Sequence, residues 1–143
     1  MKLKKRMIMT GMVMALLLSA MPVHAGRKYF TNFHYQTVPY SESWKYITGM
    51  AKEDNDRNWY VATTAASGLS SSQDRAYYQS STRNDAIMTQ SAPLPIRGDG
   101  RTYSQKYYAS TSAVRGMVFN LYIHGNENLG QSYSITVSGR YTS

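Results

Sequence analysis

Two stretches near the end of the chain alternate in hydrophobicity with a period of two, and nothing after residue 25 carries an apolar stripe at the helical period. Met117, Phe119, Leu121 and Ile123 alternate with Val118, Asn120, Tyr122 and His124. Tyr133, Ile135, Val137 and Tyr141 then alternate with Ser132, Ser134, Thr136, Ser138 and Arg140. Neighbouring side chains fall on opposite faces only in extended backbone, so each stretch reads as a strand with one face toward a core. Gly125 to Gly130 between them is rich in turn residues, and the pair is expected to form a hairpin with one solvated face.

The rest of the chain offers further short strands. Trp59 to Thr64 is aromatic and β-branched, Tyr29 to Val38 and Ser43 to Thr48 flank a turn at Pro39-Tyr40-Ser41, and Gln73 to Ser80 and Thr102 to Ser110 are polar strand candidates. Ser67 to Ser72 and Ala92 to Gly100 read as loops. Six to eight strands with such spacing predict an all-β chain, an antiparallel β-sandwich of jelly-roll or Ig-like type, with a closed barrel as the alternative. Residues 26–143 are expected to be a single domain. The chain has no Cys, so no disulfide supports it and the packed core must.

The first 25 residues read differently. Lys2, Lys4, Lys5 and Arg6 precede an apolar run from Met7 to Leu18, and Pro22 stands before Val23-His24-Ala25. This is the pattern of a cleavable signal helix, cut between Ala25 and Gly26, and the run is too short for a bilayer span of about 20 residues. The protein is therefore expected to be secreted, with no stable membrane span after cleavage. An exported, cysteine-free chain of this kind points to a Gram-positive bacterium. Four of the 16 basic residues belong to the leader, which leaves 12 against 8 acidic residues. The remaining excess suits contact with a cell-envelope polymer or another surface protein and is too scattered for nucleic acid.

Catalytic chemistry has little to build on. His34 and His124 are the only histidines past the leader, and no Gly-x-Ser-x-Gly elbow is present. Asp54, Asp56 and Asn58 have the alternate spacing of a calcium loop, but Trp59 and Ala65 stand where its Gly and bidentate Glu belong. No catalytic residue, metal or cofactor is expected. Arg97-Gly98-Asp99 spells an adhesive tripeptide in a loop where turn chemistry explains it equally.

The aromatic residues carry the remaining signal. All 13 Tyr, both Trp and all three Phe lie past the leader. Trp44, Trp59, Tyr77, Tyr78, Tyr107 and Tyr108, with His124 at a strand end, are the candidates for a binding patch. In the adjacent pairs Tyr77-Tyr78 and Tyr107-Tyr108, alternation sends one ring of each pair outward. Core and cross-strand packing is the competing explanation.

The leader, the Asn-Trp-Tyr-Val run at Asn58 to Val61, Asn126-Glu127-Asn128 after an apolar strand, and Tyr-Ser-Ile-Thr-Val-Ser-Gly at Tyr133 to Gly139 resemble a group of small exported Gram-positive proteins of unknown function. Some of that group are encoded near bacteriocin export systems. The closing Arg140-Tyr141-Thr142-Ser143 departs from its more acidic C-terminus. The resemblance implies a secreted, non-enzymatic β-sandwich protein acting at or outside the cell envelope as a bacteriocin-related or accessory factor. The residues themselves suggest the other reading, a module that binds wall carbohydrate or a surface ligand through its aromatic patch.

Overall fold

The computed structural model describes residues 26–82 and 90–143. The predicted signal helix and Ala25, on one side of the expected cleavage point, lie outside these residues. Eight strands follow in order: β1 (Lys28–Gln36), β2 (Trp44–Ala51), β3 (Asn58–Ser67), β4 (Ala76–Ser81), β5 (Leu94–Pro95), β6 (Thr102–Lys106), β7 (Val118–Gly125) and β8 (Ser134–Thr142). They form two four-stranded antiparallel sheets, β1-β8-β3-β6 and β2-β7-β4-β5. First pairs with last, second with seventh, third with sixth and fourth with fifth. This is a long antiparallel ribbon rolled on itself, the jelly roll, and it decides between the two sandwich types expected from the sequence.

The rolled topology corrects the expected hairpin. β7 and β8 do not pair; β7 is central in the second sheet, β8 is central in the first, and residues 126–133 carry the chain from one sheet to the other. The alternation marked the core face of both strands, but β7 is buried on its other face too, at Tyr122 and His124, and a face pattern does not name a partner. Phe119, Leu121 and Ile123 of β7 and Ile135, Val137 and Tyr141 of β8 are all fully buried. The two strands with the clearest alternation are thus the two halves of the core, meeting across the interior.

The segment Ala92 to Gly100, expected as a loop, contains the two-residue β5, paired to β4 through Tyr77↔Pro95 and Tyr78↔Leu94. Proline is tolerated there because β5 is an edge strand whose outer side needs no hydrogen-bond partner, and the inner bond comes from the Ile96 N–H to the Ala76 carbonyl. β3 runs three residues past its expected end, to Ser67.

The middle of β8 is pinched between two bulges. Thr31 and Asn32 of β1 stand against Ser138, with Asn32 at a positive φ of 48° and its N–H donating to Ser138 Oγ at 2.8 Å. On the other flank Thr64 of β3 is the extra residue. Between them Gly139 lets three strands close up. A Cβ at that position would lie 2.2 Å from the Ala62 carbonyl oxygen and 2.7 Å from Cζ of Phe30. Gly139→Ala is therefore expected to cost about 1–3 kcal/mol, since backbone must move to accept the methyl. Gly49→Ala meets chiefly the Asn120 side-chain oxygen, which can rotate away, and is expected to cost less. Urea unfolding of the two variants checks the order; equal midpoints would contradict it.

The interior is not wholly apolar. Ser80 Oγ lies 2.7 Å from both the Tyr107 and the Tyr141 hydroxyls, and Thr63 Oγ1 lies 3.0 Å from the Tyr78 hydroxyl. Burial pushes the phenols of Tyr78, Tyr107 and Tyr141 above their ordinary range, and all three remain neutral hydrogen-bonding groups. These bonds let a Tyr-rich core bury its hydroxyls without orphaning them.

Candidate functional site

The inward positions of the second sheet fill the core, which leaves the alternate residues of the same strands facing outward. On β2 these include Trp44 and Tyr46, on β7 Tyr122 and His124, and on β4 Tyr77 and Gln79. Register aligns them in rows. Trp44 pairs with His124, His124 pairs with Tyr77, and Tyr77 pairs with Pro95, so one row crosses all four strands. The Trp44 and His124 rings stack at 3.8 Å with 27° between their planes, and His124 and Tyr77 at 5.3 Å with 25°. In the next row Tyr46 meets Tyr122 edge to face at 5.9 Å, and Tyr46 is 51% exposed. The 5.3 and 5.9 Å spacings are those at which aromatic pairs attract beyond simple burial, and the Trp44 and His124 rings are packed closer still.

His124 is the hinge of the row. Its Nδ1 lies 3.1 Å from the Gly125 carbonyl, and a carbonyl only accepts, so Nδ1 carries the proton and Nε2 is a bare lone pair. That Nε2 is buried without a hydrogen-bond partner among the described residues. Burial pushes the imidazole pKa down to about 4, with the Gly125 carbonyl opposing the shift. At neutral pH the residue is an uncharged aromatic ring.

The seven expected patch residues separate into three groups. Trp44, Tyr77 and His124 come together in the row just described. Trp59, Tyr78 and Tyr107 do not join them, because each is at most 2% exposed inside the sandwich. Trp59 has the parity of Val61 and Thr63, which line the interior from β3, and Tyr107 packs on Phe119 at 4.3 Å. These three are core residues and cannot form a surface platform. Tyr108 is 41% exposed but lies in the loop between β6 and β7, away from the row. Each adjacent Tyr pair does split, with Tyr78 and Tyr107 inward and Tyr77 and Tyr108 outward. Tyr46 is the residue that sequence reasoning missed; its parity with Trp44 on one strand was the available signal.

The polar candidates are engaged in local structure. Asp54 Oδ1 accepts from the Asp56 N–H and pairs with Lys52 Nζ at 2.9 Å, while Asp56 accepts from Asn58 and, at 2.7 Å, from the Tyr60 hydroxyl. Those hydrogen bonds hold the Asp56 carboxyl below its usual range despite partial burial. The carboxylates organise a turn, and among the described residues no three His, Cys, Asp or Glu side chains gather to hold a metal ion. In the tripeptide loop, Arg97 pairs with Asp74 at 2.6 Å and Asp99 accepts from the Tyr103 hydroxyl at 2.6 Å. Arg97, Gly98 and Asp99 border an open groove of about 450 Å³ with Ala66, Leu69 and Ile96. Among the described residues no helix is long and apolar enough to cross a membrane.

No family model and no curated protein matches the chain.

Proposed function

We propose that the chain is an exported, non-enzymatic binding module whose outer aromatic face, centred on Trp44, Tyr46, Tyr77 and His124, binds carbohydrate of the cell wall. The observation that carries this reading is the stacked row Trp44, His124, Tyr77. Trp44 and Tyr77, both half-buried, flank the buried His124 on the face turned away from the core, and Tyr46 beside them is 51% exposed, so the aromatic surface open to a ligand is that of Trp44, Tyr46 and Tyr77. A pyranose ring offers an apolar C–H face and a rim of hydroxyls, and aromatic rings of this kind complement both. A neutral imidazole keeps the row uncharged at physiological pH. The expected leader and the net positive charge support a role among envelope polymers.

Sedimentation of purified protein with isolated Gram-positive cell walls tests the reading. The wild type is expected to pellet with the walls, and Trp44→Ala to lose about 2 kcal/mol of binding, roughly 30-fold in affinity, as for an aromatic residue at the centre of a contact. Tyr108→Ala, in the loop between β6 and β7 and outside the row, is expected to bind as the wild type does. If Trp44→Ala lowers the unfolding midpoint but binds walls unchanged, the row is cross-strand packing and the proposal falls.

A further inference from the structure

Charge is distributed unevenly over this fold. Every described Asp and Glu sits in a loop at an end of the sandwich, and no strand carries one. Strand residues do include Lys28, Lys45, Lys106 and Arg140. Lys45 is used internally, donating to the His34 carbonyl and lying over the Phe33 ring at 5.2 Å, where it closes the edge between β1 and β2. The other three belong to the first sheet. Among the described residues the ion pairs are Lys52 with Asp54 and Arg97 with Asp74, so Lys28, Lys106 and Arg140 have no acidic partner there.

Register places Arg140 and Lys106 on one surface. The buried residues of β8 are Ile135, Val137, Gly139 and Tyr141, so Arg140 and Thr142 point outward, as do Thr102, Ser104 and Lys106 of β6. Ala62 of β3 lies between Arg140 and Thr102, and its small side chain lets the guanidinium cross to donate to Thr102 Oγ1 at 3.2 Å. Lys106 is four residues further along β6, roughly 13 Å away along the strand. Lys28 pairs with the buried Tyr141 and shares the parity of Phe30, so it lies on the other face of its strand and is not part of this surface. The result is a pair of cations, Arg140 and Lys106, on the outer face of the first sheet, with the hydroxyls of Thr102, Ser104 and Thr142 beside them. The acids bordering this face are engaged locally: Asp56 by Tyr60 and Asn58, and Asp99 by the Tyr103 hydroxyl and the Arg101 N–H.

We propose that this face, distinct from the aromatic one, binds a polyol phosphodiester polymer free of lipid. Spaced cations complement the phosphates, and hydroxyls that both donate and accept complement the polyol units between them. The two faces of the sandwich then engage different components of the envelope, one neutral and one anionic.

Titration of the purified full chain with poly(glycerol phosphate) at low salt tests this. A cation held against an anionic surface contributes about fivefold to affinity, so Lys106→Gln is expected to weaken binding about fivefold and the Lys106→Gln, Arg140→Gln pair about 30-fold. Added salt is expected to weaken the wild type further. Melting curves of the variants are expected to match the wild type, and Lys106→Gln, an exposed change, serves alone if the pair does not fold. Trp44→Ala is expected to bind the phosphopolymer normally, which separates this proposal from that for the aromatic face. Undiminished binding by the variants would overturn it, as would no binding by the wild type. Equal or tighter binding to phosphatidylglycerol vesicles or duplex DNA would likewise overturn the choice of partner.

Discussion

Acidification from pH 7 to pH 4 is expected to weaken the fold by about 3 kcal/mol through His124 alone. The imidazole binds its proton with an ordinary pKa of 6.5 in the unfolded chain and only near 4 in the folded one. Below pH 6.5 the unfolded state therefore takes up a proton that the folded state refuses, and stability falls until about pH 4, where both are protonated. The cause is geometric: the incoming proton would land on Nε2, which is buried without a partner among the described residues between two aromatic rings. Asp56 also resists protonation in the folded state, but its folded pKa lies below the ordinary carboxylate value, so its loss comes at lower pH. Urea midpoints at pH 7, 5.5 and 4 measure the effect. His124→Phe keeps a flat ring in the row and removes the titration, and its midpoint is expected to change far less over that window. Parallel losses in wild type and variant would show that the imidazole is not responsible.

Trp59→Ala is expected to cost about 3–5 kcal/mol, the usual consequence of emptying a fully buried indole site. A domain of this size has about 5–15 kcal/mol in all, so the variant stands near the limit of folding. Trp59→Phe is expected to recover most of the loss. The indole N–H has no hydrogen-bond partner among the described residues, so deleting it removes no bond. Trp44→Ala, at a half-buried site on the outer face, is expected to cost less than Trp59→Ala while affecting binding more. If the two alanine variants unfold at the same urea concentration, the assignment of one Trp to the core and the other to the surface is wrong.

The two tryptophans also show what could be read in advance. Both lie in short aromatic strands, and composition treats them alike. Trp59 shares its parity with Val61, so its inward position was legible from β3 itself. Trp44 has no such guide, because β2 is mixed on both faces and bulges at Ile47. The sandwich class followed from alternation and turn spacing, whereas the partner of each strand did not. Alternation reports which face is buried, and β7 and β8 would look the same as a hairpin or as members of opposite sheets. The aromatic row required the register of β2, β7 and β4 together, which is a property of three separate segments. Tyr77 and Tyr78 announced that one ring faces out; only pairing with His124 shows where that ring goes. Arg140 was noted as a departure at the chain's end, and its role on the cationic face depends on Ala62 being small enough to cross.

The rolled ribbon has a kinetic meaning as well as an architectural one. β1 has a single partner in its sheet, β8, and that partner is the last of the described strands to be synthesised. Until Ser134 to Thr142 has emerged, the first sheet lacks its central member and the core lacks Ile135, Val137 and Tyr141. Contacts spanning more than 100 residues must close before any of this burial is realised, which is the regime of slow folding. A chain wired in this way stays pliable until β8 has been made, and its first sheet and core then set together.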